Sequence, residues 1–279
     1  MTRSGGSSIG NGNVAANLEA VKGRIAEAAL RAGRAADDVC LVAVTKTFPV
    51  EVILEAWEAG QRHFGENRPE EGAQKIPLVM RQIAARQLTT VDPAQTDSSS
   101  TSEGSEPVLP IPIWHMIGHV QSRKTEMVAA HFDIVHSLDR LKIARRLSRL
   151  TVSASREIPA LIECNVSGED SKYGYSVAGW EKEPAVQTSF FEEVKALLAL
   201  PGLRIEGLMT VAPISDDPED VRPFFSSLRG LRDLLSEQFP EANWHHLSMG
   251  MTDDFEIAVE EGATLVRVGR AIFGPRSWV

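Results

Sequence analysis

Cysteine is scarce in this chain, and what it lacks narrows the reading at once. Cys40 and Cys164 are the two cysteines among 279 residues. Both sit in apolar runs, Val39-Cys40-Leu41 and Ile162-Glu163-Cys164, so both are expected to be buried, reduced thiols. Two cysteines build neither a disulfide framework nor a zinc site. Long apolar runs are missing too: no stretch approaches the ~20 residues that a membrane helix needs. Basic excess is absent, with 29 Lys and Arg against 38 Asp and Glu and a net charge of -9. That balance argues against affinity resting on nucleic-acid phosphates, and still allows a local basic pocket for a small phosphate. The first residues, 1–13, are rich in Gly, Ser and Asn and have no apolar centre. They do not read as a signal peptide and are expected to be disordered. A cytoplasmic location is expected by default.

What is present is an alternation. After a helical stripe of Val14, Leu18, Val21, Ile25 and Ala28, short apolar runs rich in branched residues alternate with helical patterns. The strand candidates are 39–44, 62–64, 113–117, 134–137, 160–165, 205–211, 244–247 and 265–268. Each is followed by a helix or helical turn, including 69–76, a helix from 122 with Ser122 as its N-cap, 190–200 and 253–261. Such alternation implies parallel strands with helical crossovers. Eight units predict an α/β fold, a single (β/α)8 TIM-type barrel with an extra N-terminal helix, spanning 14–279. An open doubly wound sheet is the rival, and it leaves the eighth unit unexplained. Residues 81–112, rich in Ser, Thr, Asp, Gln and Pro, break the rhythm and predict a polar surface insertion.

Active sites of such barrels lie at the C-terminal ends of the strands, so the residues just past each run are the candidates. Lys46 follows the first strand and precedes apolar Phe48 and Pro49. A partly desolvated lysine has a lowered pKa and serves as the nucleophile of a Schiff base. A lysine that merely reaches solvent is the plainer alternative. The turns Ser248-Met249-Gly250-Met251-Thr252-Asp253 and Val268-Gly269-Arg270-Ala271 each lead toward a helix, and together they predict a phosphate cup. His245 and His246 are neighbours in a strand, and His115 and His119 lie on a strand-to-loop segment; neither spacing suggests a metal site. Glu66 with Asp253 or Asp254 is conceivable as an acid/base pair, although helix capping explains the aspartates equally well.

At these residues the chain resembles a known family. The segments LVAVTKTFP (41–49), HFGEN (63–67), WHMIGHVQSRK (114–124), HSLDRLKIARRL (136–147), NVSGEDSKYG (165–174), GLMTVAP (207–213), LSMGMTDDFEIAVEEGAT (247–264) and VRVGRAIFG (266–274) are similar to those of the pyridoxal phosphate homeostasis proteins, the YggS/PROSC family. These are single-domain barrels like the N-terminal domain of alanine racemase. The resemblance implies that Lys46 carries pyridoxal 5′-phosphate (PLP) as a Schiff base. It implies that Ser248, Met249 and Gly250 bind the phosphate, with Gly269 and Arg270 completing the cup. It implies that Arg267 faces the pyridine nitrogen and that Asn67 and Met209 line the ring pocket. Members often carry Thr or Ser where this chain has Arg270, so a cation stands in place of a hydroxyl.

A fixed positive charge beside the pyridine nitrogen disfavours its protonation and makes the ring a poorer electron sink. The chain is therefore expected to hold PLP and to serve PLP-dependent apo-enzymes, as a monomer without nucleic-acid or membrane partners. A PLP-dependent amino-acid racemase is the alternative. Against it, the chain ends shortly after the last strand, leaving no room for the second domain that supplies a tyrosine base in alanine racemases. A barrel using its lysine without PLP, in the manner of class I aldolases, is a third reading.

Overall fold

The computed structural model describes residues 13–90 and 110–275. Strands β1 (Cys40–Val44), β2 (His63–Glu66), β3 (Ile113–Met116), β4 (Ile134–Leu138), β5 (Ile158–Asn165), β6 (Tyr175–Ser176), β7 (Leu203–Met209), β8 (His246–Ser248) and β9 (Leu265–Val268) form one parallel system. Its order is β4-β3-β2-β1-β9-β8-β7-β5, and β4 pairs with β5 to close the ring. The expected eight-stranded barrel is therefore what the chain builds. The two-residue β6 is an addition on the outer edge of β5.

Nine α-helices occur among the described residues: α1 (Val14–Arg31), α2 (Val50–Glu58), α3 (Pro69–Thr90), α4 (Thr125–His131), α5 (Leu141–Ser153), α6 (Pro184–Leu198), α7 (Arg222–Gln238), α8 (Phe255–Glu260) and α9 (Arg270–Phe273). α1 starts where Asn13 accepts the Ala16 amide at 3.1 Å. It buries Val14, Leu18, Val21, Ile25 and Ala28 along one stripe and ends before Gly33. Asn17 donates to the Ile272 carbonyl at 2.8 Å, and Arg24 pairs with Glu256 at 2.9 Å, so the extra helix is fastened to α8 and α9.

Strand residues alternate between two apolar clusters, as period-two geometry requires. Leu41, Ala43, Phe64, Trp114, Ile162 and Val266 pack outward under the helices. Val42, Leu161, Met209 and Leu265 form a separate cluster inside the ring. Burying a Leu or Phe side chain stabilises by about 1.5–3 kcal/mol, so the outer layer carries most of the fold's stability.

Several boundaries differ from expectation. The helix expected over 69–76, α3, continues through Pro77 to Thr90, because Ile76, Val79 and Ile83 are buried and their packing outweighs one lost backbone bond. The segment expected to be an insertion over 81–112 is thus helical as far as residue 90, and 91–109 lie outside the described residues, as does most of the stretch 1–13. Ser122 is not an N-cap. It lies in a 3-10 turn over Ser122–Lys124, and Thr125 Oγ1 donates to its carbonyl at 3.0 Å. α6 begins at Pro184, whose fixed φ suits the first helical turn, six residues before the expected start. Phe225 takes a core position on α7, with Phe224 half-buried beside it.

Candidate functional site

The turn after β1 carries Lys46 and is held from several sides. Thr45 is buried; its amide donates to the Gly65 carbonyl at 2.9 Å and its hydroxyl to Glu66 Oε1 at 2.7 Å. Thr47 sits in the left-handed region with φ 69°, and its amide donates to Glu71 Oε1 at 2.5 Å. Lys75, from α3, reaches beneath the turn. Its ammonium donates to the carbonyls of Thr45 at 2.7 Å and Phe48 at 3.1 Å, and pairs with Glu66 and Glu71, each at 2.7 Å. Burial raises the Glu66 carboxyl above the usual range, while Lys75 and Thr45 act against that rise. The backbone on both sides of Lys46 is thereby fixed by a buried charge cluster.

Half-buried Lys46 shares a cavity of about 370 Å³ with Val44, Phe48, Gly269 and Arg270. Two of the expected phosphate-cup residues therefore lie beside it. Gly269 stays close to β1: a Cβ there would come 3.2 Å from the Val44 carbonyl. In the neighbouring turn, Gly250 has φ 93° and a Cβ would approach Ala258 to 2.6 Å, so glycine is required on both counts. Met249 is buried and donates its amide to Leu265 at 3.1 Å. Arg270 is exposed and is bridged to Asp253.

Ser248, Arg267 and Met209 lie deeper, inside the ring. Arg267 is buried; it donates through Nη1 to Ser248 Oγ at 2.6 Å and through Nη2 to the Thr210 carbonyl at 2.8 Å. Burial brings its pKa down to about 10, partly offset by Asp254 and Glu163, so it stays charged at neutral pH. The Ser248 hydroxyl is engaged between Arg267 and His136 Nδ1, the latter at 2.8 Å. Any contact from this residue to a phosphate thus falls to its backbone. Met209 belongs to the inner apolar cluster. Asn67 is half-buried at the end of β2, and its Oδ1 is buried with no hydrogen-bond partner among the described residues. Its carbonyl lies where a Cβ on Gly118 would be, at 2.2 Å, so the turns after β2 and β3 touch only because residue 118 is glycine.

The conceivable acid/base pairing of Glu66 with Asp253 or Asp254 does not occur. Glu66 is committed to Thr45 and Lys75, Asp253 to Arg270, and Asp254 accepts the Met251 amide at 2.5 Å. A group that the sequence did not single out is Glu163, buried at the C-terminal end of β5 with Oε2 unbonded among the described residues. Burial and nearby Asp139 push it up to about 7. His119 pairs with Asp139 at 2.8 Å and stacks on Tyr173 with ring centroids 3.8 Å apart.

Both cysteines are free; burial pushes the Cys40 thiol up to about 12 and raises Cys164 as well. Among the described residues, no cluster of three or more His, Cys, Asp or Glu side chains suits a metal ion. None of the helices described is long and apolar enough to cross a membrane.

The chain is similar to known proteins over nearly its whole length. Residues 16–277 match the family described as the alanine racemase N-terminal domain. The pyridoxal phosphate homeostasis protein of Vibrio alginolyticus is 37% identical over 262 residues, covering 94% of this chain and 97% of that one. The protein of the same description from Escherichia coli (strain K12) is 36% identical over 271 residues, covering 95% and 98%. Among solved structures, PipY of Synechococcus elongatus PCC7942 with PLP bound superposes with a TM-score of 0.69 at 29% identity, covering 94% of this chain and 100% of that one.

Proposed function

The chain belongs to the family of the pyridoxal phosphate homeostasis proteins, built on the alanine racemase N-terminal domain, and from that membership we propose that it holds PLP on Lys46 for PLP homeostasis. The carrying observation is the cavity that half-buried Lys46 shares with Gly269 and Arg270, at the end of a turn clamped by Lys75, Glu66 and Glu71. The residues suit this cofactor. Lys46 supplies a primary amine, and the turn of Gly269 and Arg270 supplies backbone N–H groups and a cation for a phosphate. In this reading Asn67, whose buried Oδ1 has no partner among the described residues, adds a polar atom to the ring pocket.

When bound, PLP contributes an aldehyde that reacts reversibly with amines and a ring that withdraws electrons from what it carries. Arg267 bears on the second property. A guanidinium donates and does not accept, so in this reading it meets the pyridine nitrogen as a fixed cation and keeps that nitrogen unprotonated. The ring's pull is then weak, and the protein holds the cofactor rather than using it. PLP-dependent apo-enzymes as recipients, the monomeric state and the cytoplasmic location belong to this same proposal.

The test is spectroscopic. Purified protein incubated with PLP should show a visible band, and borohydride reduction should place a pyridoxyl-phosphate adduct on Lys46. Lys46→Ala should lose both. An adduct of equal yield on another lysine in that variant sinks the assignment. A racemase-type reading draws on Glu163, a buried carboxyl that holds a proton near neutral pH at the site end of the barrel. Its measure is α-proton exchange on alanine or serine that Lys46→Ala abolishes.

A further inference from the structure

Three histidines, one each from β2, β3 and β4, cross the inside of the barrel in a single file that ends on the site. His63 Nδ1 lies 3.0 Å from His115 Nε2, His115 Nδ1 lies 2.8 Å from His136 Nε2, and His136 Nδ1 lies 2.8 Å from Ser248 Oγ. Ser248 in turn accepts from Arg267, which also donates to the Thr210 carbonyl. His115, His136, Ser248 and Arg267 are all buried. The file belongs to no role assigned so far.

The direction of its protons follows from one end. Arg267 can only donate, so Ser248 Oγ is its acceptor. The hydroxyl proton of Ser248 then needs an acceptor of its own, and among the described residues His136 Nδ1 is the one at bonding distance. With Nδ1 accepting, His136 carries its proton on Nε2 and donates to His115 Nδ1. By the same step His115 donates from Nε2 to His63 Nδ1, and His63 is left with its own Nε2–H. The opposite direction would put a proton on His136 Nδ1 and strand the Ser248 hydroxyl proton in a buried site, which costs about 1–3 kcal/mol.

Charge supports the same arrangement. His136 faces Arg267 from β9, His115 from β3 and His246 from β8, with His63 beyond, and burial is the largest influence on it. All of these disfavour an imidazolium, so the file consists of neutral rings. Among the described residues no carboxylate lies within bonding distance of Arg267; Asp254 and Glu163 act on it only from afar. Its orientation therefore rests on two neutral oxygens, and one of them, Ser248 Oγ, is turned by His136.

We propose that His136 is a positioning residue, with His115 and His63 in line behind it, that fixes the Ser248 hydroxyl and through it the Arg267 guanidinium toward the cofactor ring. The role toward the ring rests on the PLP reading above. The ordering of Arg267 does not, and the test separates them.

The first arm uses ¹⁵N-labelled protein without PLP. Long-range ¹⁵N–¹H spectra should show His63, His115 and His136 as neutral Nε2–H tautomers, and the Arg267 Nη signals should be resolved by hindered rotation. In His136→Asn the amide stands near the Nδ1 position and still meets Ser248, so the Arg267 signals should stay resolved. In His136→Leu, and in Ser248→Ala, they should average. A Nδ1–H tautomer at His136, or an unchanged Arg267 pattern in His136→Leu and Ser248→Ala, overturns the proposal. Should His136→Leu not fold, the tautomer assignment, His136→Asn and Ser248→Ala decide alone.

The second arm adds PLP. His136→Leu should shift the visible band and release PLP roughly tenfold faster, with His136→Asn close to the parent protein. Equal spectra and release rates in all three overturn the role toward the ring. Parent protein that takes up no PLP while the first arm succeeds refutes the PLP reading and leaves the ordering of Arg267 standing.

Discussion

Arg270 Nη2 lies 2.5 Å from both carboxylate oxygens of Asp253, so a single bridge ties the turn after β9 to the turn after β8. The pair spans the two loops proposed to receive a phosphate, and it partly neutralises the cation that one of them offers. Both side chains are mostly exposed, 59% and 73%, which makes the bridge worth little to stability.

From this follows a prediction with opposite signs at two neighbours. Asp253→Ala frees the guanidinium and removes an anion near the phosphate, so PLP should bind about threefold more tightly at low salt. Arg270→Ala should weaken binding by about three- to tenfold. Unfolding free energies should move by less than about 1 kcal/mol in each, as expected for an exposed pair. Titration with PLP at two ionic strengths checks this, because the difference should shrink as salt screens the charges. Weaker binding in Asp253→Ala would mean that the bridge holds the cup in shape.

A second prediction concerns the clamp under Lys46. Lys75→Met leaves Glu66 buried without its cation, a change that typically costs about 3–5 kcal/mol. Glu66→Gln with Lys75→Met removes both charges and should restore more than half of that loss. The turn over 45–48 loses the donor to two carbonyls in either case, so PLP release should be faster in both variants. Chemical denaturation and a PLP-release assay separate the two effects. Equal stability of the single and double variants would show that the charge pair contributes nothing.

Why Lys46 was legible in advance and its clamp was not is a matter of what linear patterns carry. A short branched run followed by a polar residue marks a strand and its rim, so Lys46, Asn67, Gly250 and Gly269 all read as strand-end residues, where the fold has them. Lys75 lies on a helix and reads there as one more solvated charge; only the approach of α3 to β1 turns it toward Thr45 and Glu66. The histidines failed for a related reason. Strands of a closed parallel barrel are buried on both faces, so inward and outward phases look alike in sequence. His63, His115 and His136 meet only through the register of three strands, whereas the linear pattern shows only neighbours such as His245 and His246. The end of α3 was misplaced because Pro77 reads as a stop signal, whereas buried Val79 and Ile83 carry the helix past it.

The histidine file also implies an acid limb of stability. Burial lowers the pKa of His63, His115 and His136 in the folded protein below 6.5. For a base with a lowered folded pKa, the unfolded chain binds the extra proton. Its contribution is therefore complete above the unfolded value and is lost as pH falls from about 6.5 toward the folded one. Each histidine should contribute a slope of up to about 1.4 kcal/mol per pH unit in that window. His115→Asn with His136→Asn should flatten the limb below pH ~6.5 while leaving the slope above it unchanged. Urea denaturation at half-unit pH steps measures this, and parallel curves for parent and variant would show that these rings titrate alike in both states.

Glu163 should produce the opposite limb. Its folded pKa is pushed up to about 7 from an ordinary 4.5, chiefly by burial and then by Asp139. A raised carboxyl means that the folded state binds the proton more tightly than the unfolded one. Its favourable contribution is whole below about pH 4.5 and is lost as pH rises to about 7. The loss amounts to on the order of 3 kcal/mol, at 1.4 kcal/mol per pH unit. Glu163→Gln cannot ionise, so its stability relative to the parent should climb between those pH values and level off above neutrality. Because Oε2 is buried and unbonded, a glutamine amide there adds a cost of its own. That cost is independent of pH and displaces the whole curve, so the informative quantity is the stability difference at pH 8 minus that at pH 4. A value near zero would show that Glu163 ionises as freely in the folded protein as in the unfolded chain, and would remove the one proton-holding group on which the racemase reading draws.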